Sequence, residues 1–376
     1  MKPDAALPRV CLVHDYRESG QMSMKLYAEG LGEALVAQGF PISRLKVGDV
    51  IPARFRKPGL VDKADSYLGR FVKLPLAARK QRADIFHIVD HSQSYLIRQF
   101  DPARTVITCH DLMLLVLASG RLGKRFRPPV ALAIFNQITK DIQKTRWIVA
   151  DSIQTKKDLG EFLGIPPEHV RVIHPGLNGP FRVVDGARER VRAKHGLGDG
   201  PLLMQMGLPV FYKNLEGCFR VVAYLRQQGI PAKLMRSGAR LDARQLAVAD
   251  RLGVSEAIVD LGPCSGHELI ERYNAADTLL YPSLYEGFGW PPLEAMASGL
   301  PVISSRGGSL DEIVGDAALT AEPEDVQGLA GHVAALLAQP KLREELRRRG
   351  LAHAARFSWT KAATEMGALY RQVLEA

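Results

Sequence analysis

Tyr281-Pro-Ser-Leu-Tyr-Glu286-Gly-Phe-Gly-Trp290-Pro-Pro-Leu-Glu294-Ala-Met-Ala-Ser-Gly299 packs a strand end, a glycine loop and a helix into one run. The apolar segment Asp277–Pro282 predicts the strand, and Gly287 and Gly289 predict a tight loop behind it. Pro291 or Pro292 then falls in a first helical turn, where the missing N–H costs nothing because it has no intrahelical partner. Amides of Phe288, Gly289 and Trp290 are expected to leave the sheet's carboxyl edge with the helix dipole behind them, which makes a phosphate cradle. Glu286 on the loop and Glu294 on the helix flank that anion site. Carboxylates beside an anion suit neutral partners, and sugar or ribose hydroxyls are such partners because each carboxylate accepts more than one of them.

Outward from this unit, short β-branched runs alternate with amphipathic stretches along the whole chain, which predicts α/β architecture with parallel sheets. The first series of strands is expected at 9–14, 41–47, 84–89, 104–109, 146–150 and 170–174, and the second at 202–207, 232–236, 257–261, 277–282 and 301–304. Pro175-Gly176-Leu177-Asn178-Gly179-Pro180 punctuates the gap between the two series. The expected organisation is an N-terminal Rossmann-like domain over 1–180, a second over 181–358, and a last helix over 359–376 whose apolar face (Ala362, Met366, Leu369, Val373) must pack on something. Ligands of such sheets bind outside the strand carboxyl ends, so the expected site is the cleft between the domains.

Two further strand ends carry chemistry. Met206-Gly207-Leu-Pro-Val-Phe-Tyr-Lys213-Asn214 leads into a helix capped by Asn214, and Lys213 stands directly before that helix start. A cation at a place that itself attracts anions points to a shared diphosphate. In the first series, His110-Asp111 follows a strand. His110 is a candidate to donate to a substrate oxygen or to move a proton, and Asp111 is a candidate cap. The first strand ends in His14-Asp15-Tyr16-Arg17-Glu18-Ser19-Gly20, a potential anion or acceptor loop without the G-x-G-x-x-G spacing of a nicotinamide site.

Composition narrows the functions. With 376 residues, 46% hydrophobic and 24% charged, the chain reads as globular, and its longest apolar run, Leu112–Ala118, is too short to span a bilayer. No secretory signal is read at the N-terminus, so a cytoplasmic location is expected. The four cysteines (Cys11, Cys109, Cys218, Cys264) lack disulfide or zinc spacing, and no metal or cofactor motif is found. The net charge of +10 lies entirely in residues 1–180, with 27 basic against 17 acidic side chains, while residues 181–376 hold 23 of each. Much of the excess falls between Arg54 and Arg82, where Leu60, Leu68, Phe71, Leu74 and Leu76 are interspersed. That composition suits an interfacial helix on anionic membrane, interrupted by Pro75. Nucleic acid is not expected, since no aromatic stacking platform or RNP-type pattern accompanies the charge.

Taken together, Glu286 and Glu294 with seven residues between them, the Lys213-Asn214 pair, His110-Asp111, Val170-Arg-Val-Ile-His-Pro-Gly176, Asp151-Ser152 and Phe357-Ser-Trp359 resemble the retaining glycosyltransferases of family four, over nearly the whole length. The resemblance implies a GT-B fold and a metal-independent retaining hexosyltransferase. It would use a GDP-mannose or UDP-glucose type donor and an acceptor hydroxyl of a glycan, lipid-linked or small-molecule acceptor bound at the basic first domain. On that resemblance the catalytic residues are His110, Lys213 and Glu286. The donor-binding residues are Gly20, Gly207, Arg236, Pro263, Cys264, Ser265, Gly287, Phe288, Gly289 and Glu294, with Glu294 at the ribose and Pro263–Ser265 against the base. Two positions depart from the family pattern. Leu208 and Tyr212 stand where an Arg is frequent, leaving Arg236 as the candidate second phosphate cation, and Ser19-Gly20 replaces a Gly-Gly. The alternatives are a sugar-nucleotide epimerase or hydrolase of the same fold, and a non-catalytic nucleotide-sugar-binding protein.

Overall fold

Twelve strands form two parallel sheets in a computed structural model that describes residues 7–14, 22–48, 50–51, 60–123, 125–264 and 266–376. The chain divides into two compact units, residues 1–178 with 357–376, and residues 179–356. In the first unit, β1 (Val10–Val13), β2 (Ile42–Leu45), β3 (Ile85–Ile88), β4 (Thr105–Cys109), β5 (Ile148–Ala150) and β6 (Val170–Val172) lie in the order β2-β1-β3-β4-β5-β6. In the second, β7 (Leu202–Met206), β8 (Lys233–Ser237), β9 (Ile258–Asp260), β10 (Thr278–Tyr281), β11 (Val302–Ser305) and β12 (Ala318–Ala321) lie in the order β12-β11-β10-β7-β8-β9.

Every pairing is parallel. Parallel strands are covered on both faces by their crossover helices, which explains why β1, β4 and β11 are buried at every position. Edge strands escape that demand. β12, Ala-Leu-Thr-Ala, is half-exposed throughout and lacks a run of large apolar side chains, and the sequence reading missed it. Each sheet reverses its strand order once, between β1 and β3 in the first unit and between β7 and β10 in the second. A crevice opens at such a switch point because the connections on its two sides run in opposite directions.

One apolar core fills each unit. Val13, Ile88, Ile107, Leu112, Ile142 and Leu159 anchor the first, and Leu203, Phe219, Val222, Leu234, Leu280 and Val333 the second. The terminal helix Trp359–Glu375 belongs to the first unit and lies on the helix Met22–Ala37. Gly30 permits the contact, because a Cβ there would come within 2.3 Å of the Trp359 ring. The Trp359 indole donates to the Leu177 carbonyl at 3.0 Å. Tyr370 reaches the sheet itself, its hydroxyl 2.7 Å from His87 Nδ1, while His87 Nε2 lies 2.7 Å from Thr108 Oγ1. Burial pushes the His87 pKa down to about 3, so the ring is neutral.

The basic segment corrects one expectation. Pro75 does not interrupt it: Leu60–Leu68 continues through a π-turn at Gly69–Lys73 into Leu74–Ala78. The Leu74 amide bonds five residues back to Gly69, and this wider turn accommodates the proline directly after it. Asp65, Gly69, Leu74 and Ala78 form the buried stripe. Among the described residues no helix is long and apolar enough to cross a membrane.

Candidate functional site

The best-built polar site stands at the β7/β10 switch point of the second unit. Gly207 follows the end of β7, and a single 3-10 turn, Phe211–Lys213, leads to Asn214 at φ 50°, the only non-glycine residue with positive φ among the described residues. Asn is one of the few residues that tolerates this conformation. Its side chain holds it there. Oδ1 accepts from the Gly217 amide and caps the helix Leu215–Gln227, while Nδ2 donates to the carbonyls of Pro282 (3.0 Å) and Pro323 (2.7 Å). The loop after β7 is thereby tied to the loop after β10, a link strengthened by the Leu284 amide donating to the Tyr212 carbonyl.

Lys213 consequently folds back over Gly207 and brings its ammonium to β10. Nζ donates to the Tyr281 hydroxyl at 2.8 Å and to both oxygens of Glu286 at 2.8 Å. Glu286 is buried on a loop whose course is set from behind by Gly307-Gly308-Ser309. A Cβ on Gly308 would lie 2.4 Å from the Glu286 carbonyl oxygen. Ser309 donates its amide to that carbonyl and its hydroxyl to the Phe288 carbonyl. Gly287 follows Glu286, the Phe288 side chain is buried, and Gly289 takes φ 102° as N-cap of the helix Trp290–Ala297 with proline in its first turn.

Glu294, one turn into that helix, accepts from the Tyr273 hydroxyl at 2.9 Å. Burial drives its carboxyl pKa up to about 7, although the Tyr273 hydrogen bond and the Lys213 charge both pull it down. Near neutrality it therefore exchanges between acceptor and donor.

Other expected site residues are placed differently. Arg236 is fully buried, and its guanidinium donates to the carbonyls of Gly207 (2.8 Å) and Ala239 and to Asp260 (3.2 Å). It fastens the loop behind Lys213 rather than presenting a free fork to a phosphate. Gly262 bends the chain after β9 at φ 68°, and its carbonyl accepts from the buried Arg272; Pro263 is exposed and the Cys264 thiol half-buried. Gly20 and Ser265 lie outside the described residues.

His110 sits in the first unit, where burial is almost complete. Its Nδ1 lies 2.5 Å from Asp151 Oδ2 and its Nε2 2.8 Å from the Val89 carbonyl. Both partners are acceptors, so both nitrogens carry hydrogen and the ring is an imidazolium. Burial alone would lower its pKa, but the Asp151 charge and hydrogen bond raise it to about 9. With both hydrogens committed to the protein, the ring has none to give a substrate oxygen, contrary to the expectation from the sequence.

Tyr273, Ser309 and the ring-orienting role of Asp151 were missed by sequence reasoning. Gly307-Gly308 after β11 was a usable signal for the back of the loop; nothing local marks Tyr273. Among the described residues no three His, Cys, Asp or Glu side chains converge as a metal site.

Comparison with known proteins gives two family-model matches, residues 187–353 to the description "Glycosyl transferases group 1" and residues 26–178 to "Glycosyltransferase Family 4". The serotype-specific mannosyltransferase WbdA of Escherichia coli is 28% identical over 300 residues, 74% of this chain and 36% of WbdA. The match thus spans about a third of that relative's length. Sucrose-phosphate synthase of Thermosynechococcus elongatus has the same fold at TM-score 0.76, with 22% identity over 98% of this chain and 99% of that one. HepE of Anabaena, solved in complex with UDP-glucose, follows at TM-score 0.72 and 14% identity, covering 98% and 99%.

Proposed function

This chain belongs to glycosyltransferase family 4, with its GT-B fold, and from that premise we propose that it is a retaining, metal-independent hexosyltransferase acting on a nucleoside-diphosphate sugar. One observation carries the reading: Lys213, Glu286 and Glu294 converge at the switch point of the second unit, beside a helix N-terminus. The donor diphosphate takes the Lys213 ammonium and the N-terminal turn of Trp290–Ala297, Glu286 takes hydroxyls of the transferred sugar, and Glu294 takes the ribose. Gly207, Gly287, Phe288 and Gly289 supply backbone at the phosphates, and Pro263–Ser265 flank the base.

Catalysis in this reading is electrostatic. The ammonium and the helix dipole stabilise charge as it develops on the departing diphosphate, the task a divalent cation performs elsewhere. Lys213 changes partners on donor binding, from Glu286 to phosphate, and frees the carboxylate for sugar hydroxyls. The relatives support the donor class, one being named a mannosyltransferase and another solved with UDP-glucose. The acceptor hydroxyl binds at the first unit.

The test is a melting-temperature screen with UDP, GDP, UDP-glucose and GDP-mannose, followed by product analysis. A ligand that binds only the folded state raises the melting temperature. A transferase forms little free sugar from donor alone; rapid epimer or free-sugar formation identifies an epimerase or hydrolase instead, and binding without turnover identifies a non-catalytic protein.

Peripheral docking of the first unit on anionic membrane is part of the same proposal. Opposite its buried stripe, the segment Leu60–Ala78 exposes Tyr67, Leu68, Phe71, Val72 and Leu76, with Arg79, Lys80 and Arg82 exposed at its end. Apolar side chains rimmed by cations suit a headgroup boundary. Co-sedimentation with phosphatidylglycerol vesicles at low salt is expected, and its absence removes the proposal.

A further inference from the structure

Three consecutive residues of the helix Gly266–Ala275 are fastened in three directions, and the middle one reaches Glu294. Arg272 is buried, and its Nη1 donates to the Ser237 hydroxyl at the end of β8 and to the Gly262 carbonyl after β9, each at 2.9 Å. Its Nη2 donates to Glu268 one turn back, also at 2.9 Å. Asn274 accepts from the Val184 amide at 2.9 Å and donates to the Arg182 carbonyl at 3.0 Å. Successive helical side chains point about 100° apart, so these anchors fix both the rotation and the register of the helix.

Tyr273 lies between them, wholly buried, with the Phe181 ring edge-on at 5.9 Å. Its hydroxyl donates to Glu294 Oε2 at 2.9 Å, and among the described residues neither side chain makes another hydrogen bond. Were the carboxyl proton on Oε2, the buried phenolic hydrogen would have no acceptor, a loss comparable to an unmade hydrogen bond. The bond therefore keeps Oε2 as an acceptor in either charge state, and the carboxyl proton, when present, belongs on Oε1.

No other group around the carboxyl replaces this donor. Lys213 acts on it through charge while bonding Glu286 and Tyr281, and burial keeps the Cys264 thiol and the Tyr281 phenol neutral. β11 brings no titratable side chain. Asp311 of the helix Leu310–Val314 pairs with Arg306, Glu312 beside it is half-exposed, and Arg347 of the helix Pro340–Ala354 lies against Gly299, beyond the end of the helix that carries Glu294.

We infer that Tyr273 is a positioning residue of the donor site: from a helix pinned on both sides it holds one oxygen of Glu294 as a fixed acceptor and so orients the other for the nucleotide. An O–H donor also favours the ionised carboxylate, and here it works against burial. The hold on the carboxylate stands on these contacts; its consequence for nucleotide binding rests on the proposed assignment of Glu294 to the ribose.

The experiment compares the wild type, Tyr273→Phe and Glu294→Ala as full chains carrying glutamate labelled with carbon-13 at Cδ. The Glu294 resonance is the one lost in Glu294→Ala. Phenylalanine keeps the ring against Phe181 and removes only the donor, so the Glu294 titration midpoint is expected to move up in Tyr273→Phe. A midpoint equal to that of the wild type overturns the inference, because a ring that merely fills space leaves it where it was. UDP and GDP affinities, measured by calorimetry from pH 5.5 to 8.5, should fall roughly 3- to 10-fold in Tyr273→Phe on the acid side, the span of one net hydrogen bond, and the loss should shrink as the carboxyl ionises. In a Glu294→Ala background, Tyr273→Phe should change affinity by less than about 2-fold, since nothing is left to position; full additivity of the two losses also overturns the inference. If Tyr273→Phe fails to fold, the wild type labelled at tyrosine Cζ decides. One tyrosine resonance should follow pH with the Glu294 midpoint and stop doing so in Glu294→Ala, and the lack of such a resonance counts against the inference. Nucleotide affinity unchanged in Glu294→Ala, with the midpoint raised in Tyr273→Phe, would remove the ribose assignment alone and leave Tyr273 in its role at the carboxylate.

Discussion

The Lys213 ammonium and the Glu286 carboxylate hold each other in a forked contact, Nζ 2.8 Å from each oxygen, although 73 residues separate them in the chain. Tyr281 completes the cage, and both charges are largely withdrawn from water. Such a pair is poised: a diphosphate offers Lys213 more negative charge than Glu286 does, and the freed carboxylate then has open acceptor sites. Lys213→Ala is expected to lower donor turnover by on the order of 10²-fold, the effect of removing one preorganised charge-stabilising group. Steady-state release of nucleoside diphosphate measures it, and an unchanged rate would take Lys213 out of the site.

Nucleotide affinity should depend on pH through Glu294. Its carboxyl pKa is raised to about 7, and on the proposed assignment ribose hydroxyls bind the ionised form, so affinity is expected to rise with pH toward 7. One unit below the pKa the loss is about 10-fold. For stability the sign is opposite: the folded state holds this proton more tightly than the unfolded chain, so the contribution declines as pH rises from about 4.5 to 7. Calorimetry with UDP or GDP from pH 5.5 to 8.5 should show a binding slope that differs between the wild type and Glu294→Gln, the titration of the nucleotide's own terminal phosphate being common to both.

Alkaline stability should report the His110–Asp151 pair. The imidazole pKa is raised from 6.5 to about 9, so its contribution is complete below pH 6.5 and is lost as pH climbs through 9, at up to about 1.4 kcal/mol per pH unit. In Asp151→Asn, burial without the counter-charge pushes the ring toward the neutral form, and the sensitive range moves to the acid side. Urea midpoints at pH 6, 7.5 and 9 distinguish the two proteins.

Gly30→Ala should loosen the terminal helix. The new methyl group meets the Trp359 ring at 2.3 Å, an overlap that costs about 1–3 kcal/mol in a packed core. A lower melting temperature with faster proteolysis within Trp359–Glu375 is expected; wild-type resistance would mean that the ring can give way.

Gly308→Ala tests the back of the active loop. At φ 66° and 2.4 Å from the Glu286 carbonyl, the methyl group must displace that loop or its own backbone. Activity should fall well before the circular dichroism spectrum changes.

Much of the architecture was legible because parallel strands must be apolar on both faces. Runs such as Val10-Cys-Leu-Val13 and Leu202-Leu-Met-Gln-Met206 announce themselves, and so does Asn214 as a cap before its helix. β12 escaped because an edge strand carries no such demand. The π-turn before Pro75 escaped because it depends on which face of the helix the first unit buries, Asp65, Gly69, Leu74 and Ala78, and a proline considered alone says only that a helix is disturbed.

Within the site, residue type and chain position pointed to Glu286, Glu294 and Lys213, since glycine loops, helix starts and charges near strand ends are local facts with local causes. Partnerships were not readable. Whether Arg236 faces a ligand or the Gly207 and Ala239 carbonyls, whether His110 keeps a hydrogen to donate, and whether Tyr273 reaches Glu294 all depend on groups brought together from distant parts of the chain. Amino-acid order alone specified a two-sheet α/β protein and the loops that carry its charges. Tertiary packing settled which of those charges are occupied and which are left open, because hydrogen-bond partners and burial, which set protonation, exist only once separate strand ends stand side by side.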